Sequence, residues 1–153
     1  MFDMITKLLD LLAGSEPAEP EDKEHAARVA ISAILAEAAM ADGVYAIEEQ
    51  QKIGRILAQR FSLSDEEAAA LRTEGQQAQS EAMDLVQFTR VVKEAVPFEE
   101  RVGVIEAVWR VIYADGDRDY EESALVRKLC GLLYVPDREA GLARQRVVNG
   151  PPL

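Results

Sequence analysis

The sequence predicts an all-α protein of about seven helices, arranged as two pseudosymmetric helix–joint–helix units around a central apolar helix. Three observations predict it. Alanine and leucine recur throughout the 153 residues while aromatic residues make up only 6%, a balance that suits helices better than sheets. Apolar residues return with the helical period along most of the chain, and no stretch alternates as a half-buried strand would. A short pattern, Ala-Asp-Gly followed after four residues by Glu-Glu, occurs twice. It runs from Ala41 to Glu49 and from Ala114 to Glu122, with Asp42 and Asp115 73 residues apart.

The elements follow in order. Residues 1–13 place Phe2, Ile5, Leu8, Leu9 and Leu12 on one stripe, the spacing of an amphipathic helix. This segment admits three uses: docking on the domain, self-association or partner binding, and anchoring at a membrane surface. The third use is disfavoured by composition, since Lys7 is its only cation beside Asp3 and Asp10. Residues 14–20 carry two prolines and nothing apolar larger than alanine, the composition of a linker. The helical domain is expected over 21–148, with 149–153 as a frayed tail.

Within that domain a first long helix is expected from about Glu21 to Ala41, its buried stripe formed by Ala27, Ile31, Ile34, Leu35 and Ala38. Gly43 ends it. A second helix begins near Ile47, buries Ile53, Ile56 and Leu57, and ends by Phe61. Ser64-Asp65-Glu66-Glu67 has the form of a capping box and opens a third, which is expected to fade around Thr73–Gly75 into a polar connection, 76–80. A fourth, from about Met83 or Asp84, presents Leu85, Phe88, Val92 and Ala95. Pro97 suits a helix start, and the fifth helix carries Phe98, Val102, Ile105, Trp109 and Ile112 on one face, with Val104, Val108 and Val111 on a second. A helix so apolar around its circumference is expected at the centre. Leu125, Leu129, Leu132 and Leu133 mark the sixth, and Pro136 opens the last, ending near Val148.

Composition narrows the function. A net charge of −11 leaves no basic surface to displace phosphate counterions, which argues against nucleic acid, and it disfavours an anionic membrane surface. Cations and basic partners remain open. Cys130 is the only cysteine, so no internal disulfide can form, which fits a cytoplasmic location. No apolar run approaches the roughly 20 residues that span a bilayer, and the opening residues lack the charged region and cleavage site of a secretory signal.

The duplicated joint is the candidate site. Part of it is architecture: Gly43 and Gly116 fit a helix C-terminus, while Ala46 and Asp119 fall at the next N-cap, with Glu49 and Glu122 at N3. Ala46 has no side chain with which to cap. Capping leaves a surplus in the second copy, where Asp115, Asp117, Asp119, Glu121 and Glu122 put five carboxylates within eight residues. Their mutual repulsion calls for solvent, salt or a cation, and hard divalent cations prefer such oxygens. The loop is no EF-hand, because its glycine is second rather than sixth and position twelve is Val126.

On the marks Met40-Ala41-Asp42-Gly43…Glu49 and Tyr113-Ala114-Asp115-Gly116…Glu122, residues 22–147 resemble the TerB-like family. This helical module is associated with bacterial tellurite resistance and is also found beside co-chaperone J-domains. The resemblance implies an all-α domain with internal pseudosymmetry and an acidic surface that binds a divalent cation, calcium, magnesium or zinc. It carries over to Asp42, Glu49, Asp115 and Glu122, with Asp117 and Asp119 as local additions. Val44-Tyr45-Ala46 stand in the first copy where the second is acidic and polar, so the expected site leans towards the second.

No catalytic apparatus stands out. His25, at a helix start, is expected in solvent; Cys130 and Trp109 are expected in the core; Tyr45, Tyr113, Tyr120 and Tyr134 are expected to pack their rings and turn their hydroxyls to water. No nucleophile elbow, phosphate-cradling loop or Cys–His pair is present. The sequence therefore reads as a cytoplasmic binding module working with protein partners in tellurite or metal stress, and not as an enzyme. The alternative is an adaptor independent of metal, whose acids cap helices or meet a basic partner.

Overall fold

The described residues form seven α-helices: α1 (Pro20–Ala39), α2 (Ile47–Phe61), α3 (Asp65–Ser80), α4 (Leu85–Ala95), α5 (Val102–Ile112), α6 (Tyr120–Leu133) and α7 (Asp137–Asn149). A single 3-10 turn, Phe98–Glu100, precedes α5. The computed structural model describes residues 20–40, 45–81, 84–113 and 120–150, with backbone alone at 20 and 120–123. No strand occurs among them, so the protein is all-α as its sequence predicts. The expected amphipathic helix at 1–13 and the linker before Pro20 lie outside the described residues.

Pro20 occupies the first position of α1, where its missing N–H costs nothing, and Glu21 and Asp22 sit at the positive end of the helix dipole. From Ala26 to Ala39 every residue is buried except Arg28 and Glu37. This helix packs on α2, α3, α4 and α5, most extensively on α3 and α4. As the sequence predicts, α5 is contacted from several sides, by α1, α2, α6 and α7, and it is buried from Val104 through Ile112 apart from Glu106 and Arg110. Alanine lets α1 share that central position. Ala26, Ala30, Ala33, Ala36 and Ala39 extend the buried surface of α1 beyond its Ile/Leu stripe and keep the helix thin enough for neighbours on several sides.

The closest of these approaches joins α1 to α3. Ser32, fully buried, donates its hydroxyl to the Leu71 carbonyl at 3.2 Å. A Cβ on Gly75 would overlap the Ser32 side chain, so the helices can meet here only because position 75 has none. Gly75 therefore serves packing. It does not end α3, which continues to Ser80 through the stretch expected to be a polar connection.

The duplication extends further than the joints. The helix following each joint, α2 or α6, ends on a left-handed residue, Ser62 (φ 54°) or Tyr134 (φ 60°). In each case the next amide reaches back five residues, Leu63 N to Ala58 O and Val135 N to Cys130 O, both at 2.9 Å. This is the hydrogen-bonding of a Schellman end. A further helix starts three residues beyond each, at Asp65 after Ser64 and at Asp137 after Pro136. The chain thus holds two units of three helices, α1–α2–α3 and α5–α6–α7, with α4 as the link. In both, the first helix packs on the third.

Local chemistry fixes the ends. Ser64 Oγ accepts from Glu67 N at 3.1 Å, and Glu67 Oε1 accepts from Ser64 N at 3.0 Å, completing the capping box. Asp84 Oδ1 accepts from Gln87 N at 3.0 Å and caps α4. Val96 turns extended ahead of Pro97, which ends α4. The 3-10 turn that follows leaves Phe98 53% exposed, so its expected place on the buried face of α5 is corrected. Arg101 then ties three ends together, donating to the carbonyls of Val96 (3.1 Å), Lys93 (3.2 Å) and Leu133 (3.4 Å). Its charge suits the negative C-terminal ends of α4 and α6. On the surface, Glu106 pairs with Arg110 at 3.8 Å, as the spacing predicts, and also with Arg146 of α7 at 3.2 Å.

Candidate functional site

Each joint is approached by a buried helix and left by one that begins with acid. Before the first joint, the Met40 amide still donates to Ala36 O at 3.0 Å, in α1 register. Beyond it, Ala46 stands extended at the N-cap of α2 with no side-chain hydrogen bond, as expected of alanine. Glu49 is at N3, and its Oε1 accepts from Ala46 N at 3.4 Å. Only 7% of Glu49 is exposed. Its carboxylate therefore serves the start of α2 and enjoys the positive end of that helix's dipole.

The neighbours of Glu49 tie the joint to α3. Gln50 Nε2 donates to Tyr45 O at 3.2 Å, and Arg72 Nη1 donates to Gln50 Oε1 at 3.4 Å. The Tyr45 hydroxyl is buried, which corrects the expectation that it reaches water. Burial pushes its pKa up; Arg72 opposes the shift and the Glu49 charge adds to it. This first joint thus sets its acid against a basic and aromatic surround.

After α5, Tyr113 closes the helix with its amide donating to Trp109 O and Val111 O. Glu122 is the third residue of α6, the same register that Glu49 holds in α2. Asp42, Asp115, Asp117 and Asp119 lie outside the described residues, and so does the side chain of Glu122. Among the described residues no group of three or more His, Cys, Asp or Glu is placed to hold a metal ion. Of the six sequence-predicted ligands, then, Glu49 alone has a described side chain, and it caps a helix.

Other singled-out residues have settled places. Trp109 is buried at 6% exposure, its ring 5.9 Å from that of Tyr113. Cys130 is buried and its thiol is pushed up to about 11 by burial, with Asp137 adding to the shift, so it is a core residue with little thiolate near neutral pH. His25 is not merely solvated: Nε2 lies 3.1 Å from Glu74 Oε2, bridging α1 and α3.

The sequence reading missed a second candidate altogether. A groove of about 810 Å³ runs between the start of α1 and the ends of α2 and α4, with Arg28, Arg60 and Phe61 along one side. The signal was faint: an adjacent arginine and phenylalanine at the end of α2, in an otherwise acidic chain.

A family model described as "Tellurite resistance protein TerB" matches residues 28–145, most of the chain. No curated protein and no solved structure matches it significantly. No described helix is long and apolar enough to cross a membrane.

Proposed function

The chain belongs to the tellurite resistance protein TerB family, and from that premise we propose that it is a cytoplasmic, non-catalytic module that binds a divalent cation at its second joint. It acts through protein partners in the response to tellurite or metal stress. Asp115, Asp117, Asp119 and Glu122 would hold the cation, with Asp42 and Glu49 as the weaker counterpart. A bound cation would neutralise the acids of the joint and order its backbone, preparing a surface for a partner. An all-oxygen donor set without histidine or cysteine suits hard cations such as calcium or magnesium better than zinc.

The observation that carries this reading is the inequality of the two copies. The first spends Glu49 on capping and places Val44-Tyr45-Ala46 where the second has Asp117, Arg118 and Asp119. Architecture needs no more than the first copy has, so the additional acids of the second call for another role.

The test is a titration of the full chain with calcium, magnesium and zinc, followed by heteronuclear NMR and calorimetry. Amides of 115–122 should shift saturably at or below millimolar cation, and a D117N/D119N variant should bind at least tenfold more weakly. If no cation moves those amides at millimolar concentration, cation binding is eliminated. The buried, capping Glu49 would then favour the second reading, an adaptor whose joint acids serve helix ends and a basic protein partner.

A further inference from the structure

The groove beside Phe61 has the chemistry of a ligand site, and it is remote in sequence from both joints. Its apolar wall comes from Ala27 and Ile31 of α1, Val96 after α4 and Val102 of α5. Its volume, about 810 Å³, falls in the range of roughly 300–1,000 Å³ typical of small-molecule pockets. Two arginines converge on the Phe61 ring, Arg28 Cζ at 4.8 Å from its centroid and Arg60 Cζ at 5.8 Å.

Among the described residues neither guanidinium has all its donors met. Arg28 gives one nitrogen to Glu24 at 2.9 Å, yet its Nε is buried with no hydrogen-bond partner among the described residues. The Nε of Arg60 is in the same condition. Burial also depresses the pKa of Arg60, with Glu100 and Glu106 opposing the shift through their fields. A buried donor left unmade is costly, and an arginine keeps its charge wherever it sits. Gly103 makes room for this arrangement: a Cβ there would come within 2.8 Å of Arg60 Nη1. The Arg60 cation is therefore held in place by packing, with its Nε donor unmet among the described residues.

We propose that this groove binds a small monocarboxylate with an aromatic or aliphatic body. The carboxylate oxygens meet the guanidinium groups of Arg60 and Arg28 that line the groove, and the body lies against Phe61, Ile31 and Val102. Planar guanidinium groups suit a carboxylate because they can present parallel donors to its two oxygens. The rim sets the charge of the ligand. Lys23 is matched there by Glu24, Glu94 and Glu100, so a dianion such as a phosphate ester meets repulsion that a monoanion largely avoids. Among the described residues no histidine, serine, threonine or cysteine lines the groove, in keeping with binding rather than turnover.

The test uses the full chain, treated with chelator so that the result is independent of cation binding at the joint. Benzoate, octanoate and inorganic phosphate are titrated separately while the arginine Nε–Hε signals are followed by NMR. Benzoate or octanoate should shift Arg28 and Arg60 saturably with a submillimolar Kd, and phosphate should bind at least tenfold more weakly. R60Q should lose at least tenfold in carboxylate affinity while keeping a native spectrum, and R60K, which retains charge without the planar fork, should lose most of it too. Failure of both carboxylates to move either arginine overturns the proposal. So does tighter binding of phosphate, or full affinity in R60K.

Discussion

Replacing Gly75 by alanine sets helix propensity against tertiary packing at one position. In an exposed helix interior the change gains about 1 kcal/mol. At position 75 the new methyl would overlap the Ser32 side chain and come within 2.8 Å of the Ser32 carbonyl carbon, a backbone atom that no rotamer change can move. Overpacking a tight core costs about 1–3 kcal/mol. Pushing the Ser32 hydroxyl off the Leu71 carbonyl, where it sits at 3.2 Å in a fully buried site, adds about 1–3 kcal/mol more. After the propensity gain is subtracted, the net loss is about 1–5 kcal/mol, which lowers Tm by several degrees in a chain of this size. Gly54 of α2 and Gly131 of α6 supply the control, since a Cβ at either meets nothing within 4 Å. Alanine at those positions should stabilise by up to about 1 kcal/mol. Urea denaturation followed by circular dichroism measures all three variants. A Gly75→Ala protein as stable as the wild type would refute the close crossing of α1 and α3.

Two further outcomes test the helix ends. Arg101→Met removes donors from three carbonyls at the ends of α4 and α6 and should cost about 2–4 kcal/mol in chemical denaturation, with Arg101→Lys recovering only part because an ammonium lacks the planar fork. Ser64→Ala should cost about 1 kcal/mol by thermal denaturation through loss of the α3 cap. The same box fixes a pH dependence: hydrogen bonds from the Ser64 amide and then its hydroxyl hold the Glu67 carboxyl below its ordinary range. A depressed carboxylate pKa means that its contribution is present above the unfolded pKa and is lost as pH falls through the folded one. Carbon-detected NMR titration of the Glu67 carboxyl should show this low pKa in the wild type and a partial return towards the ordinary value in Ser64→Ala.

Much of the fold is legible in the chain because its signals are local. Ser64 and Glu67 lie three residues apart and announce their box without help from any other segment. The expected burial of Ile53, Ile56 and Leu57 follows from spacing on one helix, and the structure buries all three. The register of Glu49 is equally local: counting from the joint places it at N3 of α2, where its carboxylate takes the Ala46 amide. The failures are of another kind. His25 looks solvated until α3 brings Glu74 to it from 49 residues away. Phe98 matches the stripe of α5, but the turn after Pro97 rotates it off that stripe.

The sequence by itself determined that this protein is helical, where most of its helices begin, that its joint occurs twice, and that the second copy holds more acid than the first. Those properties depend on neighbours within a turn or two of helix. Only the tertiary structure decided that α1 shares the centre with α5, that Gly75 belongs inside α3, and that Arg28, Arg60 and Phe61 share a groove with Val96 and Gly103. Each of these depends on which helices touch. A glycine's missing methyl, or an arginine's unmet donor, acquires meaning only from the atoms that another segment brings against it.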